Sequence, residues 1–493
     1  MVQSNSRFYL AAALAVFFIC YALLLLLDPF LLQDPDTFWH IRTGQWILDH
    51  AQFPTVDFYS YTASGKPWIS KEWLSEIFYA AAFKLGDWRA VTILAVTACA
   101  ASIGILCFYL LRHLRFSVAI GLTALTVAAI TPHFFARPHV FSYVILVIWM
   151  ISLLNAYDYD DFNLPSLFAL APLMILWANL HGSFTFGLAL LYIFAGFCLY
   201  QNIVRQNYPR CGRLLVAASV VSVCALITPY GIAPAFVTTK LMSMRFALSR
   251  IGEWRPPDFQ DLGLHLIYLV TILLAIAGLG IQLRKPRLIA FGLIAAVGLS
   301  SFRGLMMFFV LVPIIMARPA GSIWYLAPQS FGTNNSESDN PSDPILKFLQ
   351  KRSIGLAACC MVLAVLSTVW TWWRQDILPR RSIMPTAAIE LIQRANITGN
   401  VFNSYDFGGY LIFSSIPTFI DGRTELFGDA FLRKYVDAVN LVDINSAFEL
   451  LDEYKVTWVV LRPKDPLAKA LAQSALWEVV FSDDYSVVLV RHR

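Results

Sequence analysis

The sequence predicts a polytopic α-helical membrane protein of about eleven spans that ends in a small α/β domain. Apolar residues make up 58% of its 493 positions and charged residues 14%, and the mean hydropathy is +0.61. The apolar residues gather in repeated runs of about 20, the length that crosses ~30 Å of hydrocarbon. After residue 374 the pattern changes to short amphipathic segments suited to a water-exposed domain.

Spans are expected near 8–27, 90–111, 117–135, 139–156, 166–180, 184–203, 214–232, 263–283, 287–302, 304–318 and 353–374. The first lacks a small-residue cleavage site and runs on into Leu-Leu-Leu-Asp-Pro, so it reads as an uncleaved anchor. Lysine and arginine near the membrane set the orientation. Arg112 and Arg115, then Arg205, Arg210 and Arg213, then Arg284, Lys285 and Arg287 all fall on one side by parity. Arg318, Lys347, Lys351 and Arg352 join them, which makes that side the cytoplasm. The acidic loop Asp158, Asp160, Asp161 lies there too, but acids weigh little in this rule. The expected protein is thus a multi-pass component of the plasma (inner) membrane with a cytoplasmic N-terminus. Its membrane domain is 1–374, including a first outer loop at 28–89. A cytoplasmic loop at 319–352 is expected to be partly disordered over 329–346, where Ser, Asn and Asp dominate. Residues 375–493 form the extracytoplasmic α/β domain.

The formal charge of +5 is small for this length and points to no nucleic-acid partner. Nearly all of the eight cysteines sit inside apolar runs, with no CxxC or Cys/His ligand spacing, so zinc and redox motifs are absent.

Parity gathers Asp34, Asp36, His40, Arg137, His139, His181, Tyr230, Glu253 and Arg303 on the outer face. Polar residues at a membrane boundary are expensive to hold against lipid and are functional-site candidates by default. The first outer loop reads as two interfacial helices. Asp34 is placed to cap the first, with Pro35 at its first position. Asp36, His40 and Thr43 then share one face, and Phe38, Ile41 and Leu48 another. A second helix starts after Ser70 with Leu74, Ile77, Phe78, Ala81 and Leu85 on its apolar stripe. Tryptophans 39, 46, 68, 73 and 88 suit the headgroup level. A merely structural platform competes with this, since Asp34 caps and Asp36 favours the positive helix end. Capping explains one acid, but not the second together with His40 and Arg42.

Arg137 and His139 flank Pro138 at the start of the fourth span, and Arg303 lies between two apolar helices. They are candidate phosphate ligands, arginine being suited to bidentate contact, against the plainer role of snorkelling headgroup anchors. His181-Gly182 ends the fifth span either as a ligand or as a helix terminus. Glu253-Trp254, before Pro256 and Pro257, either closes over a ligand or lies along the interface. In the tail, helices are expected at 385–394 and 446–454, strands at 401–403, 418–420 and 457–461, and a closing pair at 479–481 and 486–490. Gly408-Gly409 permits a close backbone approach.

This order of first span, outer loop opening on Asp, interfacial helices, further spans and soluble tail resembles the GT-C glycosyltransferases. These use sugars carried on polyprenyl phosphate or pyrophosphate. Asp34-Pro35-Asp36-Thr37-Phe38-Trp39-His40-Ile41-Arg42 resembles the Asp-Pro-Trp-x-x-x-Arg region of oligosaccharyltransferase catalytic subunits. Ser404-Tyr405-Asp406-Phe407-Gly408-Gly409-Tyr410 sits where those enzymes carry Trp-Trp-Asp-Tyr-Gly, and Ile420-Asp421-Gly422-Arg423-Thr424 is similar to the stretch behind it. The chain is also similar to bacterial membrane proteins with Asp-Pro-Asp-x-x-Trp-His-Ile, Trp-x-Asn-x-His-Gly and Asp-Gly-Arg signatures.

The resemblance implies transfer of a sugar or oligosaccharide from a polyprenyl-linked donor to a glycan, lipid or protein acceptor of the cell envelope. An inverting transfer needs a carboxylate for the acceptor's proton and cations at the leaving phosphate. Asp36 or Asp34 would be that base, Asp36 first because the cap absorbs Asp34. Arg137, His139, Arg303, His181, His40 and Arg42 would serve the donor phosphate. Glu253, Asp406, Tyr410, Asp421 and Arg423 would hold the acceptor or close the site. Both acceptor-motif tryptophans are missing, and no second outer Asp-x-Asp supplies metal ligands. A divalent cation, Mg2+ or Mn2+, is therefore admitted without assigned ligands. The rival reading is a flippase, transporter or polymerase of lipid-linked glycans. Transporters favour midplane sites and internal repeats, whereas here the polar clusters hug one boundary.

Overall fold

The computed structural model describes residues 2–26, 31–158, 168–258, 283–326 and 344–492, plus isolated positions 263, 269, 272 and 281. Away from water, backbone N–H and C=O groups must be satisfied within their own segment, so the apolar runs form helices. Among the described residues, seven are long and apolar enough to cross a membrane: Arg7–Leu26, Trp73–His113, Phe116–His133, His139–Asp158, Phe184–Val204, Phe302–Gly321 and Lys351–Trp373. The protein is a polytopic membrane protein. Three further expected spans correspond to shorter helices, Leu170–Leu180, Tyr208–Cys224 and Lys285–Ser300. The span expected at 263–283 lies almost wholly outside the described residues, as do Asp160, Asp161 and residues 329–343. Residues 344–346, expected in the linker, begin a helix instead.

In chain order the membrane domain runs α1 (Val2–Leu26), α2 (Asp36–His50), α3 (Trp73–His113), α4 (Phe116–Ile130), α5 (His139–Asp158), α6 (Leu170–Leu180), α7 (Phe184–Val204) and α8 (Tyr208–Cys224). It continues with α9 (Ala233–Ser243), α10 (Arg245–Arg250), α11 (Lys285–Ser300), α12 (Phe302–Leu326) and α13 (Pro344–Trp373). Helix α12 is central, packing on α3, α4, α5 and α11, whereas α13 rides outside against α1.

Helix α2 does not lie open at the interface. It is buried at Asp36, Thr37, Phe38, Trp39, His40, Ile41, Thr43, Gly44 and Ile47, and only Leu48 of the predicted apolar face is exposed. The second predicted helix begins at Trp73 and continues into the membrane as α3, interrupted where Gly86 and Asp87 leave helical geometry. Its faces are reversed from the water-soluble rule. Ser75, Glu76, Tyr79, Ala80 and Ala82 point inward, while Phe78 and Leu85 of the apolar stripe are exposed. A stripe that faces lipid loses nothing by exposure, so the polar face is free to build an interior site.

The tail contains α14 (Thr386–Arg394), β1 (Asn400–Asn403), α15 (Gly408–Phe413), α16 (Thr424–Val439), α17 (Ile444–Glu453), β2 (Val456–Leu461), α18 (Pro466–Ala472), β3 (Trp477–Ser482) and β4 (Val487–Arg491). The sheet order is β1-β2-β4-β3, parallel between β1 and β2 and antiparallel elsewhere. The strand expected at 418–420 is not part of this sheet. Thr418 instead forms a single bridge to Ser60 of the first loop.

That bridge belongs to a shared core. Trp39, Tyr59 and Trp68 of the first loop pack in one cluster with Phe402, Phe419 and Phe427 of the tail. Tyr61 donates to the Val401 carbonyl at 2.9 Å and Thr62 to the Phe419 carbonyl at 2.6 Å. A Cβ on Gly409 would overlap the Pro35 carbonyl, and one on Gly422 would overlap the Asp36 carboxylate. Both glycines are therefore needed for the tail to seat on the start of α2.

Candidate active site

A cavity of about 600 Å³ opens between the first loop, the 251–254 segment, α12 and the tail. Its volume falls in the range typical of small-molecule sites. Asp34, Asp36, Arg137, Glu253 and Arg303 line it, as do His40, Lys71, Glu72, Glu76, His181 and Glu425.

The acids at the head of α2 are placed by local geometry. Asp34 Oδ1 accepts the Asp36 backbone N–H at 2.9 Å, and the helix begins at Asp36, one residue later than expected, with Pro35 rather than Asp34 in the cap position. The segment carrying Arg137 is strapped to the same place. Thr37 donates to the Ala136 carbonyl at 2.9 Å, Tyr79 to the Arg137 carbonyl at 3.0 Å, and the Ala136 N–H to the Leu31 carbonyl at 2.8 Å. Arg137 then reaches Asp34 at 3.1 Å, Asp36 at 2.7 Å and Glu253 at 3.2 Å. Arg303 lies 3.5 Å from Glu253 and over the Trp254 ring at 5.1 Å.

The electrostatics follow. Burial pushes the Asp34 carboxyl up to about 6, with neighbouring Asp36 and Glu253 adding to the rise and Arg137 opposing it. Burial raises Asp36 in the same way, against Arg137. For Glu253 burial acts upward too, but Arg137 and Arg303 together outweigh it and hold the group down at about 2. The cluster thus pairs an acid of raised proton affinity with one that stays ionised, an arrangement typical of sites that move protons.

A second cluster joins the predicted His40 and His181 to Glu72 and Glu76, two acids that the sequence did not single out. Glu72 lies 3.3 Å from His181 Nε2 and 3.7 Å from His40 Nε2, while Glu76 lies 3.1 Å from His40 Nδ1. Ser70 donates to Glu76. Burial first, then the field of nearby cations, keeps both histidines neutral, well below their ordinary value. Lys71 pairs with Glu425 of the tail at 3.0 Å. The signal that would have found this cluster is the polar face Ser75, Glu76, Tyr79 of α3 with Glu72 one turn before it.

The other predicted residues are distributed as follows. Arg42 faces Gln45 and Ser415 and does not line the cavity. His139 packs at 3.3 Å against the His133 carbonyl, also away from the lining. Asp406 lines the cavity while pairing with Arg462. Tyr410 instead packs on Phe38 and reaches Thr386. Arg423 is fully buried between Asp421 at 2.8 Å and Asp57 at 2.6 Å, with Trp68 4.7 Å from its guanidinium, so the Asp-Gly-Arg stretch clamps tail to loop. His181 ends α6 in extended conformation rather than Gly182 ending it in a left-handed turn.

The carboxylates do not fit a divalent cation as arranged. Arg137 itself stands among Asp34, Asp36 and Glu253, and among the described residues no group of three or more His, Cys, Asp or Glu is spaced to hold a metal.

No protein-family model and no curated protein matches the chain. Among solved structures it is similar to ArnT from Cupriavidus metallidurans bound to undecaprenyl phosphate, at 15% identity over 98% of this chain and 97% of that one, with a TM-score of 0.52. The apo state of that protein gives 17% identity and a TM-score of 0.50 over 98% and 96%. It is also similar to the apo Archaeoglobus fulgidus oligosaccharyltransferase, at 11% identity over 92% of this chain and 69% of that one, with a TM-score of 0.52. The chain therefore shares the fold of these two proteins at low sequence identity.

Proposed function

We propose that the protein transfers a sugar or oligosaccharide from a polyprenyl-phosphate or pyrophosphate donor to a hydroxyl or amide acceptor at the outer face of the plasma (inner) membrane. The observation that carries this reading is the convergence of Asp34 and Asp36 with Arg137 and Arg303 on one cavity roofed by the tail, in a chain of GT-C fold.

In this reaction the acceptor heteroatom bonds to the anomeric carbon as the bond from that carbon to the phosphate oxygen breaks. Asp36 takes the acceptor's proton, and the phosphate leaves with the bonding electron pair. Arg303 and Arg137 line the cavity where they can neutralise the charge that grows on that phosphate. Arg137 has a second duty, because it holds both acids in place. Glu253 keeps Arg303 and Arg137 within reach of each other. The acceptor is an extracytoplasmic glycan, lipid or protein group, and the N-terminus lies in the cytoplasm.

The test compares Asp36→Asn and Asp34→Asn for transfer in membranes and for thermal stability once purified. Losing a general base costs 10²–10⁴-fold in rate, whereas losing a helix-end charge costs only ~0.3–1 kcal/mol of stability. Asp36→Asn is expected to fold and to lose transfer. Normal transfer in both variants would reduce the acids to structural roles, and loss in Asp34→Asn alone would move the base by two residues.

A further inference from the structure

The proposed transfer uses Asp36, Arg137 and Arg303 and leaves the second cluster without a role. Its hydrogen bonds fix where its protons are. His181 Nδ1 accepts the Ser183 backbone N–H at 3.1 Å, so the His181 proton sits on Nε2 and is aimed at Glu72 Oε1, 3.3 Å away. His40 Nδ1 faces the Glu76 carboxylate at 3.1 Å, and with that carboxylate ionised the ring's proton sits on Nδ1. His40 Nε2 is left as a lone pair. It is buried, in a residue only 1% exposed, and has no hydrogen-bond partner.

What faces this nitrogen is Glu72 Oε2, at 3.7 Å. The separation is too long for a hydrogen bond, and both atoms are acceptors. A buried acceptor without a donor is costly, and here His40 Nε2 is one, held beside the Glu72 carboxylate on the wall of a cavity. The missing component is a group that brings protons. A metal ion does not fit, because His181 has its proton on the nitrogen that would have to ligate. Lys71, the adjacent cation, is already committed to Glu425.

We infer that His40 Nε2 and Glu72 Oε2 form a subsite for a neutral sugar hydroxyl. The subsite rests on the transfer reading for its place in a reaction, and would hold either the donor's glycosyl group or a sugar acceptor. The surroundings suit a pyranose. The Trp39 ring lies on His40 at a centroid distance of 3.7 Å, and Trp68 meets Trp39 edge to face at 6.4 Å. Both tryptophans line the cavity, so apolar ring atoms for the C–H groups of a sugar stand beside His40 Nε2 and Glu72 Oε2. Because His40 is held neutral, its lone pair remains available to accept. Glu72 is a positioning and specificity residue in this scheme, and the acceptor's proton still leaves through the aspartates.

The experiment uses the full-length protein in lipid nanodiscs, with methyl hexosides and their monodeoxy analogues as probes, followed by tryptophan fluorescence and calorimetry. Saturable binding of a methyl hexoside is expected, weakened tenfold or more by removal of one particular hydroxyl. Glu72→Gln supplies an amide N–H that can satisfy His40 Nε2 from within the protein. That variant should be at least as heat-stable as the parent, yet bind the hexoside tenfold or more weakly. Equal affinity across the deoxy series, no saturable binding at all, or equal affinity in parent and Glu72→Gln would each overturn the subsite. Undecaprenyl phosphate alone serves as the separate arm. If it fails to bind the parent while the hexoside results hold, the transfer reading falls and the subsite stands. Preloading with undecaprenyl-phosphoryl hexose then separates the sources. Blocked hexoside binding assigns the subsite to the donor's sugar, and simultaneous binding assigns it to the acceptor.

Discussion

Arg137 offers two guanidinium nitrogens to three carboxylates, and its side chain is only 13% exposed. Removing it leaves Asp34, Asp36 and Glu253 close together, with Arg303 still 3.5 Å from Glu253. Breaking a buried pair by deleting one partner typically costs ~3–5 kcal/mol because the other charge stays buried. Arg137→Ala is therefore expected to lose stability on the order of 3 kcal/mol, and adding Asp36→Asn should restore part of it. An Arg137→Ala protein that unfolds at the parent temperature would show that these acids are neutralised by protons instead. Asp34 gives a second residue-scale outcome. Its carboxyl titrates near 6 in the folded protein, above the ordinary 3.8, so lowering the pH from 8 to 5 adds a proton and removes a negative charge beside Arg137. Binding of undecaprenyl phosphate should tighten over that range. The phosphate monoester titrates there as well, so the comparison is with Asp34→Asn, which should bind tightly already at pH 8 and show a flatter profile. Parallel pH profiles in parent and variant would remove Asp34 from the site's charge balance.

At the level of elements, the site depends on how closely the tail seats on α2, and Gly422 is the contact that sets it. Its position has no room for a methyl group against the Asp36 carboxylate, and forcing extra atoms into a packed place costs ~1–3 kcal/mol. Gly422→Ala should lower the unfolding temperature and depress transfer, while Gly212→Ala on α8, where a Cβ meets open space, should do neither. Thermal unfolding of the two purified variants side by side checks this. The same elements show what the sequence could reveal. Helices α14 and α17 and all four sheet strands were legible because the tail obeys water-soluble patterning, and the motif made legible that Asp34 and Asp36 stand at the head of a helix in the first loop. Glu72 and Glu76 were not, because α3 turns its apolar stripe outward and its polar face inward. The role of Arg423 was also hidden, since its partner Asp57 lies 366 positions away in the chain. Thr418–Ile420 has the composition of a strand, but the first loop, not the sheet, supplies its partner.

For the whole molecule, the decisive property is that the first loop and the tail occupy one face of the membrane. The Ser60–Thr418 bridge, the Asp57–Arg423 and Lys71–Glu425 pairs and the shared aromatic core all require it. The proposed orientation puts that face outside, and it rests on the basic loops, because lysine and arginine favour the cytoplasmic side. Single cysteines read by a membrane-impermeant maleimide test both statements. Ser60 is buried and a poor reporter, so Ser64 and Val442, both exposed, are the sites to use, with Asn207 between α7 and α8 for the opposite side. Ser64→Cys and Val442→Cys are expected to label in intact cells, and Asn207→Cys only after permeabilisation. Native Cys359, the one exposed cysteine among the eight, lies on the outer helix α13 within an apolar span and should stay dark to a water-soluble reagent. Labelling of Ser64→Cys and Val442→Cys from opposite sides would break the fold itself. Labelling of both only after permeabilisation would keep the fold and the cavity but turn the site to the cytoplasm, where a different pool of acceptors would meet the same aspartates.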